Sequence, residues 1–532
     1  MEKEPASEHA VFDHDIAAID AEKLGRQRPA VFSTIWHELG FVIALLGSMA
    51  MAEYFISGFH IILPLLSVEL DIPPAAQTWP SSVFTLTTAT CLLPLGRLAD
   101  MHGAFISFTG GMAWVCAWCL AAGFSQTYIT LVVCRAMAGI GAAAFLPAGI
   151  TLMGKIYRPG PRKNLVFAIY GAFAPLGFFT GILFGGVSGQ FLSWRWYFWI
   201  GTMMLLVICV AGLLSVPRDF QAQAPDGLTM DWLGAMTIVP GLVLLVYGIT
   251  DSSQAPNGWA SPQIIATIIL SVCFLAAAVY VELRLAKNPL VPYDLFSPPH
   301  MKPLIIALFF AYGSFGVYLF YSSFYIEVVL GKDPLRTAIW YIPMVSCGIV
   351  LGAVGGFTLH RLSGRVLLTF SGIGFVVAGL LFSLMPEDPN YWAWLFPAMI
   401  ASSVGIDITA TVSNIFITTN LPAKRQGLAG ALINTILFLG MSVFLGFGNV
   451  AVAHTSALPL RKNYQVAFWL AVAVAGVALS IFVFADIGPA KSDLTIEERQ
   501  QLESEQFQRS QANLGPGRVV EERKTGTPVK FS

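Results

Sequence analysis

Apolar residues in this chain come in long unbroken runs, not in the alternation of a half-buried strand or the narrow stripe of an amphipathic helix. Each run is roughly 20 residues, the length an α-helix needs to cross about 30 Å of hydrocarbon, and short polar interruptions separate one run from the next. About fourteen can be counted, the first near 40–64 and the last near 464–486. An even number places both ends of the array on one side of a membrane. Residues 1–38 and 487–532 lack the pattern and read as polar tails. The N-terminal one mixes charges of both signs and contains no apolar core of a cleavable signal peptide.

The polar interruptions also divide the array. Six runs occupy 39–219, a linker with two additional runs covers 220–302, and six more fill 303–486. Pro225, Asp226 and Gly227 mark the first boundary, and a proline-rich stretch over 285–303 marks the second. After the second run of each six comes a charged turn bounded by glycine, Gly96 to Gly103 and Gly355 to Gly364, as two internal repeats would have. The pattern therefore predicts an all-α polytopic membrane protein, with two six-helix bundles and two extra central helices.

One run stands apart. Just after Pro175, glycines recur every four residues at Gly177, Gly181, Gly185 and Gly189, and positions four apart share one side of a helix. Each glycine costs an isolated helix about 1 kcal/mol relative to alanine. In a membrane that loss is offset where helices touch backbone to backbone. The face reads as a tight packing surface, with sliding or rocking during a transport cycle as the sharper alternative.

Composition narrows the class without adding detail: 56% hydrophobic and 11% charged residues exclude an ordinary soluble domain. The net charge of −1 and the lack of a basic stripe with interleaved aromatics exclude nucleic acid as the expected partner. Basic residues gather in loops on the side of the termini, as at Arg158, Arg162 and Lys163, or Lys424 and Arg425. The other side holds Arg195, Lys332, Arg336, Arg461 and Lys462. The bias predicts cytoplasmic termini. Seven cysteines fall in or beside the runs without metal-ligand spacing and read as packing residues. Gly149, Gly154 and Lys155 have the spacing of a phosphate-binding loop, but Ile156 replaces the Mg²⁺-binding hydroxyl and no strand precedes it. With no reacting constellation in view, neither an enzyme nor a cofactor or metal is expected.

An ionisable side chain inside hydrocarbon costs several kcal/mol and is a functional candidate for that reason. Glu53 lies near the centre of the first run, with Ser57 and His60 on its face. Arg135 is in the fourth. Asp407 is midway through the twelfth, followed on one face by Thr411 and Asn414, and the ninth carries Tyr318, Tyr321, Ser322 and Tyr325. Glu53, Asp407 and His60 are proton-coupling candidates, since a group that alternates between dry and wet surroundings can load and release a proton. Ser57, the three tyrosines, Ser322, Thr411 and Asn414 are candidates for a substrate cavity. The alternatives are a neutral acid satisfied by a neighbouring helix, a packed histidine, and tyrosines marking the membrane interface.

Three stretches carry a resemblance. Gly96, Leu98, Ala99, Asp100 and Gly103 match the loop signature G-x-L-A-D-x-x-G of the major facilitator superfamily, and Leu131, Arg135, Gly139, Gly141 and Ala142 match its fourth-span signature. Pro175, Gly177, Gly181, Gly185 and Gly186 resemble its fifth-span antiporter motif. With two extra central spans, the length between the tails resembles the fourteen-span drug:H⁺ antiporters. The wording GRLADMHG, FLSWRWYFWI and RQGLAGALINT is most similar to fungal members, a type that includes aminotriazole-resistance proteins and efflux pumps of toxin gene clusters. The resemblance implies the major facilitator fold, with the first and fourth helices of each six lining a central cavity. It also implies proton-coupled efflux of small amphipathic compounds, by a monomer in the plasma membrane or, alternatively, a vacuolar one. An importer, or a carrier for a small polar or inorganic solute, is the alternative on the same fold.

Overall fold

The computed structural model describes residues 28–157, 161–217, 229–358, 362–421 and 423–485. The expected tails beyond them, and most of the first linker boundary with Pro225, Asp226 and Gly227, lie outside the described residues. Among the described residues fourteen helices are long and apolar enough to cross a membrane. Hydrocarbon leaves a backbone N–H no partner except its own helix, so each apolar run closes its hydrogen bonds internally.

The first six are α1 (Ile35–Glu69), α2 (Trp79–His102), α3 (Ala104–Gly123), α4 (Tyr128–Ile156), α5 (Pro161–Phe191) and α6 (Trp194–Ser215). Two more follow, α7 (Trp232–Asp251) and α8 (Pro262–Tyr280). The last six spans comprise α9 (Met301–Phe324), the pair α10 (Pro334–Trp340) and α11 (Ile342–Thr358), α12 (Gly364–Ser383), α13 (Phe396–Asn420), α14 (Ala423–His454) and α15 (Leu460–Phe484). The side on which α1 begins and α15 ends is the terminal side below; the opposite one is the far side.

Helix ends follow local chemistry. The Thr34 hydroxyl accepts from the His37 N–H at 3.3 Å, and the Asp231 carboxylate from the Gly234 N–H at 2.8 Å, filling donors that a first turn leaves open. Between α2 and α3 the chain reverses on Gly103 alone, at φ +101°, a region that a side chain disfavours. This is the last glycine of the loop signature. Several helices outrun their apolar cores; α1 has 35 residues, because polar residues at its ends extend it beyond the hydrocarbon. The tenth run, expected as a single helix, breaks at Tyr341. Pro343 lacks an N–H and sits best in a first turn, so the chain restarts there as α11.

Packing repeats between the halves. In the first, α1 lies on α5 and α6, α4 on α2 and α3, and α3 on α6. In the second, α9 lies on α14 and α15, α13 on α11 and α12, and α12 on α15. The two bundles meet through α2 with α14, α5 with α10 and α11, and α1 with α9. The extra hairpin α7–α8 covers one of these seams: Val246 and Ile249 of α7 pack between Leu86 of α2 and Val443 of α14.

The glycine stripe divides. A Cβ at Gly181 would come within 2.6 Å of the Tyr54 carbonyl oxygen and one at Gly185 within 2.6 Å of that of Gly58, and Gly177 likewise touches the Ala50 backbone. These three press α5 onto α1. Gly189 instead faces Pro334 of α10 in the other bundle, with Gly186 beside it facing Ala338. The reason is helical drift. Four residues exceed one turn of 3.6, so each step rotates about 40° and the fourth glycine leaves the face of the first.

Candidate functional site

Halfway through the membrane the bundles bring together groups from four helices. Glu53 of α1 is half-buried, within electrostatic range of Asp407 on α13 and Tyr170 on α5. Tyr312 of α9 faces both carboxyls. The Ser403 hydroxyl donates to Asp407 Oδ2 at 2.6 Å. Gly348 of α11 makes room for Asp407, since a Cβ there would stand 2.7 Å from Oδ2. Among the described residues neither carboxyl has an ion-pair partner. Toward the terminal side the face of α13 opens: Thr411 is half-buried and Asn414 exposed.

One layer toward the far side the interior closes. Arg135 is buried, with Nε donating to the Pro80 carbonyl at 2.6 Å and both terminal nitrogens to that of Phe55 at 3.2 Å. Its guanidinium stands 3.6 Å over the Phe59 ring, so carbonyl dipoles and a π face stabilise a charge that no carboxylate neutralises. His60, also buried, places Nδ1 3.3 Å from the Ser81 hydroxyl. His60, Ser81, Thr85, Arg135 and Met441 border a cavity of about 10 Å³, enough for about one water. Beyond it the Thr85 and Ser442 hydroxyls bond across the bundles at 2.8 Å. Asn449 of α14 donates to the Ala75 carbonyl and to Ser253, at 2.7 Å each. The candidate cleft between the bundles is closed on the far side by these bonds, and toward the terminal side Asn414 is exposed.

The expected residues thus separate. Glu53 and Asp407 lie within electrostatic range of each other in the middle layer, while His60 and Arg135 lie in the sealed layer above. Ser57 does not reach the cleft, because its hydroxyl donates to the Phe178 carbonyl of α5 at 2.8 Å. Tyr318 and Tyr325 pack edge-on to Phe382 inside the second bundle, Tyr321 packs on Tyr464, and Ser322 bonds the Tyr341 hydroxyl at 2.5 Å. In this state the stripe expected to line a cavity is core, its rings closed into aromatic contacts within the second bundle. The signature residues hold the first bundle together. Asp100 accepts from Thr151 at 3.4 Å, and Gly139 lets α4 touch α2, where Thr88 donates to its carbonyl at 3.1 Å. Gly96 lies in ordinary contact with Pro147, and Pro175 is internal to α5. Tyr170, Tyr312 and Gly348 were not expected. A single tyrosine or glycine in an apolar run carries no sign of which neighbour it meets.

Several known proteins resemble this chain along most of its length. The Efflux pump terJ of Aspergillus terreus is 29% identical over 474 residues, covering 87% of this chain and 90% of its own. From Saccharomyces cerevisiae, the Aminotriazole resistance protein is 31% identical over 468 residues (86% of this chain, 85% of that one). The Low affinity ammonium transporter of the same yeast is 30% identical over 483 residues (88% and 92%). A crystal structure of the peptide transporter POT superposes with a TM-score of 0.62 at 15% identity, covering 85% of this chain and 96% of that one. Family and fold are those of transporters. The repeated packing of the two bundles, and a match to the family's sequence pattern over residues 43–445, place the chain in the Major Facilitator Superfamily.

Proposed function

We propose that the protein exports small amphipathic organic compounds by alternating access, in exchange for protons carried by Glu53 and Asp407. The observation that carries this reading is that two carboxyls, one from each bundle, lie within electrostatic range of each other at mid-membrane, with no ion-pair partner among the described residues. Rocking the bundles changes their hydration and their mutual repulsion together, so protonation and orientation are linked. One proton moving down about 100 mV supplies ~2.3 kcal/mol and each pH unit about 1.4. Together these sustain a gradient of several hundred-fold for a neutral substrate at 1:1 exchange. The terminal side is then the cytoplasm, the protein acts as a monomer, and the plasma membrane is the membrane that suits efflux. The efflux pump and the resistance protein among its relatives favour export of organic compounds. The ammonium transporter among them favours a second reading, a carrier for a small polar cation.

The test uses sealed inside-out vesicles with an acidic interior, and follows uptake of a fluorescent amphipathic drug and of labelled methylammonium. Drug uptake should depend on the pH gradient and fall at least tenfold in Glu53→Gln and Asp407→Asn. Uptake unchanged in both variants would remove these carboxyls from coupling. Uptake of methylammonium alone would select the second reading.

A further inference from the structure

Glu327 takes no part in the cleft. It stands at the far end of α9, in the widened turn Tyr325–Val329, and its Oε1 is buried without a hydrogen-bond partner. Facing it are the Thr337 hydroxyl of α10 and the phenol of Tyr341. The basic groups on the elements packed against this turn are directed elsewhere. Arg336 is exposed, Lys332 lies over the Trp340 ring at 5.8 Å, and Arg461 of α15 pairs with Glu387 at 3.4 Å. The Thr337 hydroxyl donates to the Asp333 carbonyl at 3.1 Å and the Tyr341 hydroxyl bonds Ser322, so neither is spent on Oε1. A charged oxygen left without a donor is costly in such a site, and the neutral acid is less so.

The same short helix forms part of the far-side seal. Thr337 lies near Glu327, while Pro334, Leu335 and Ala338 pack on α5 of the other bundle. A Cβ at Gly186 would stand 2.7 Å from that of Ala338, and one at Gly189 3.0 Å from that of Pro334. The break at Tyr341 ends α10 after seven residues and sets it off from α11.

We propose that Glu327 is a proton-binding site that links far-side acidity to closure of the seam between α10 and α5. With Glu327 as the neutral acid, α10 docks on Gly186 and Gly189. When α10 lifts, water reaches the carboxyl, it releases its proton to that water, and the ion resists redocking. Acid on the far side therefore favours the sealed state. The inference rests on alternating access but not on the substrate, nor on Glu53 and Asp407.

The experiment uses the purified full-length protein in lipid nanodiscs, where both faces meet solvent. Leu335→Cys reports the seam through its rate of reaction with a membrane-impermeant maleimide. The rate is corrected for native cysteines and divided by that of the exposed far-side reporter Ser456→Cys, which cancels the reagent's own pH dependence. The normalised rate should rise at least fivefold from pH 5.5 to 7.5. Added Glu327→Gln should abolish the rise, Glu327→Asp should keep it, and Glu53→Gln should leave it in place. A rise that persists in Glu327→Gln, or a flat profile without any change at Glu327, would overturn the proposal. Should Glu327→Gln not fold, Thr337→Val serves: its midpoint should move by at least half a pH unit, and an unmoved midpoint would equally overturn it.

Discussion

The contact between α1 and α5 and the contact between α2 and α14 are made of different materials. Within the first bundle, Gly177, Gly181 and Gly185 press one backbone onto another, with the small Ser57 hydroxyl beside Gly181. Between the bundles, Thr85 bonds Ser442 and Asn449 bonds Ala75 and Ser253, through hydroxyl and amide groups. Close van der Waals contact has no substitute in water or lipid, so breaking it forfeits the full gain. A hydroxyl pair that separates in a wetted crevice exchanges one partner for water at little net cost. The permanent joint is welded and the reversible one is clasped. Rocking needs that division.

The comparison breaks most visibly at the weld. Gly181→Val places a branched side chain against the Tyr54 backbone and should destabilise the protein by about 3 kcal/mol, seen as a loss of monodisperse protein and a large drop in melting temperature. Asn449→Leu removes two bonds of the clasp together. It should leave the melting temperature within a few degrees but raise the normalised labelling of Leu335→Cys about fivefold, as a shift of roughly 1 kcal/mol toward the open seam requires. Thr85→Val keeps the shape and removes one bond between the bundles, and its labelling should rise only about threefold, as the ~0.6 kcal/mol typical of hydrogen bonds between membrane helices requires. Equal melting losses in all three would dissolve the distinction.

Sealed and open layers differ in the same sense. Arg135 holds its charge in a dry site because three carbonyl contacts and an aromatic face stabilise it in place. Glu53 and Asp407, half-buried and within electrostatic range of each other, can shed their repulsion only by taking up a proton or parting. The permanent cation belongs to the scaffold of one bundle, and the pair of acids spans the joint.

Much of this was legible along the chain. Helix number and the bundle division follow from run length and interruptions, and the signature residues Gly103, Asp100 and Arg135 mark a turn and two anchors. Glu53 and Asp407 were visible as charges in apolar runs, though not as neighbours. The stripe Tyr318, Tyr321, Ser322 and Tyr325 was legible as a polar face but not as one turned into the core of its own bundle. Glu327 escaped notice because an acid near the end of a run looks like an interfacial residue until the fold buries it under α10.

What the sequence by itself determined is where the chain crosses the membrane. An apolar run must satisfy its backbone internally, and that requirement is local. Only the tertiary structure decided which side chains meet. The Thr85–Ser442 bond joins residues 357 positions apart, and the pairing of Glu53 with Asp407 depends in the same way on how two bundles settle against each other. Such contacts are set by the shapes of helix surfaces distant in sequence, and no local period encodes them.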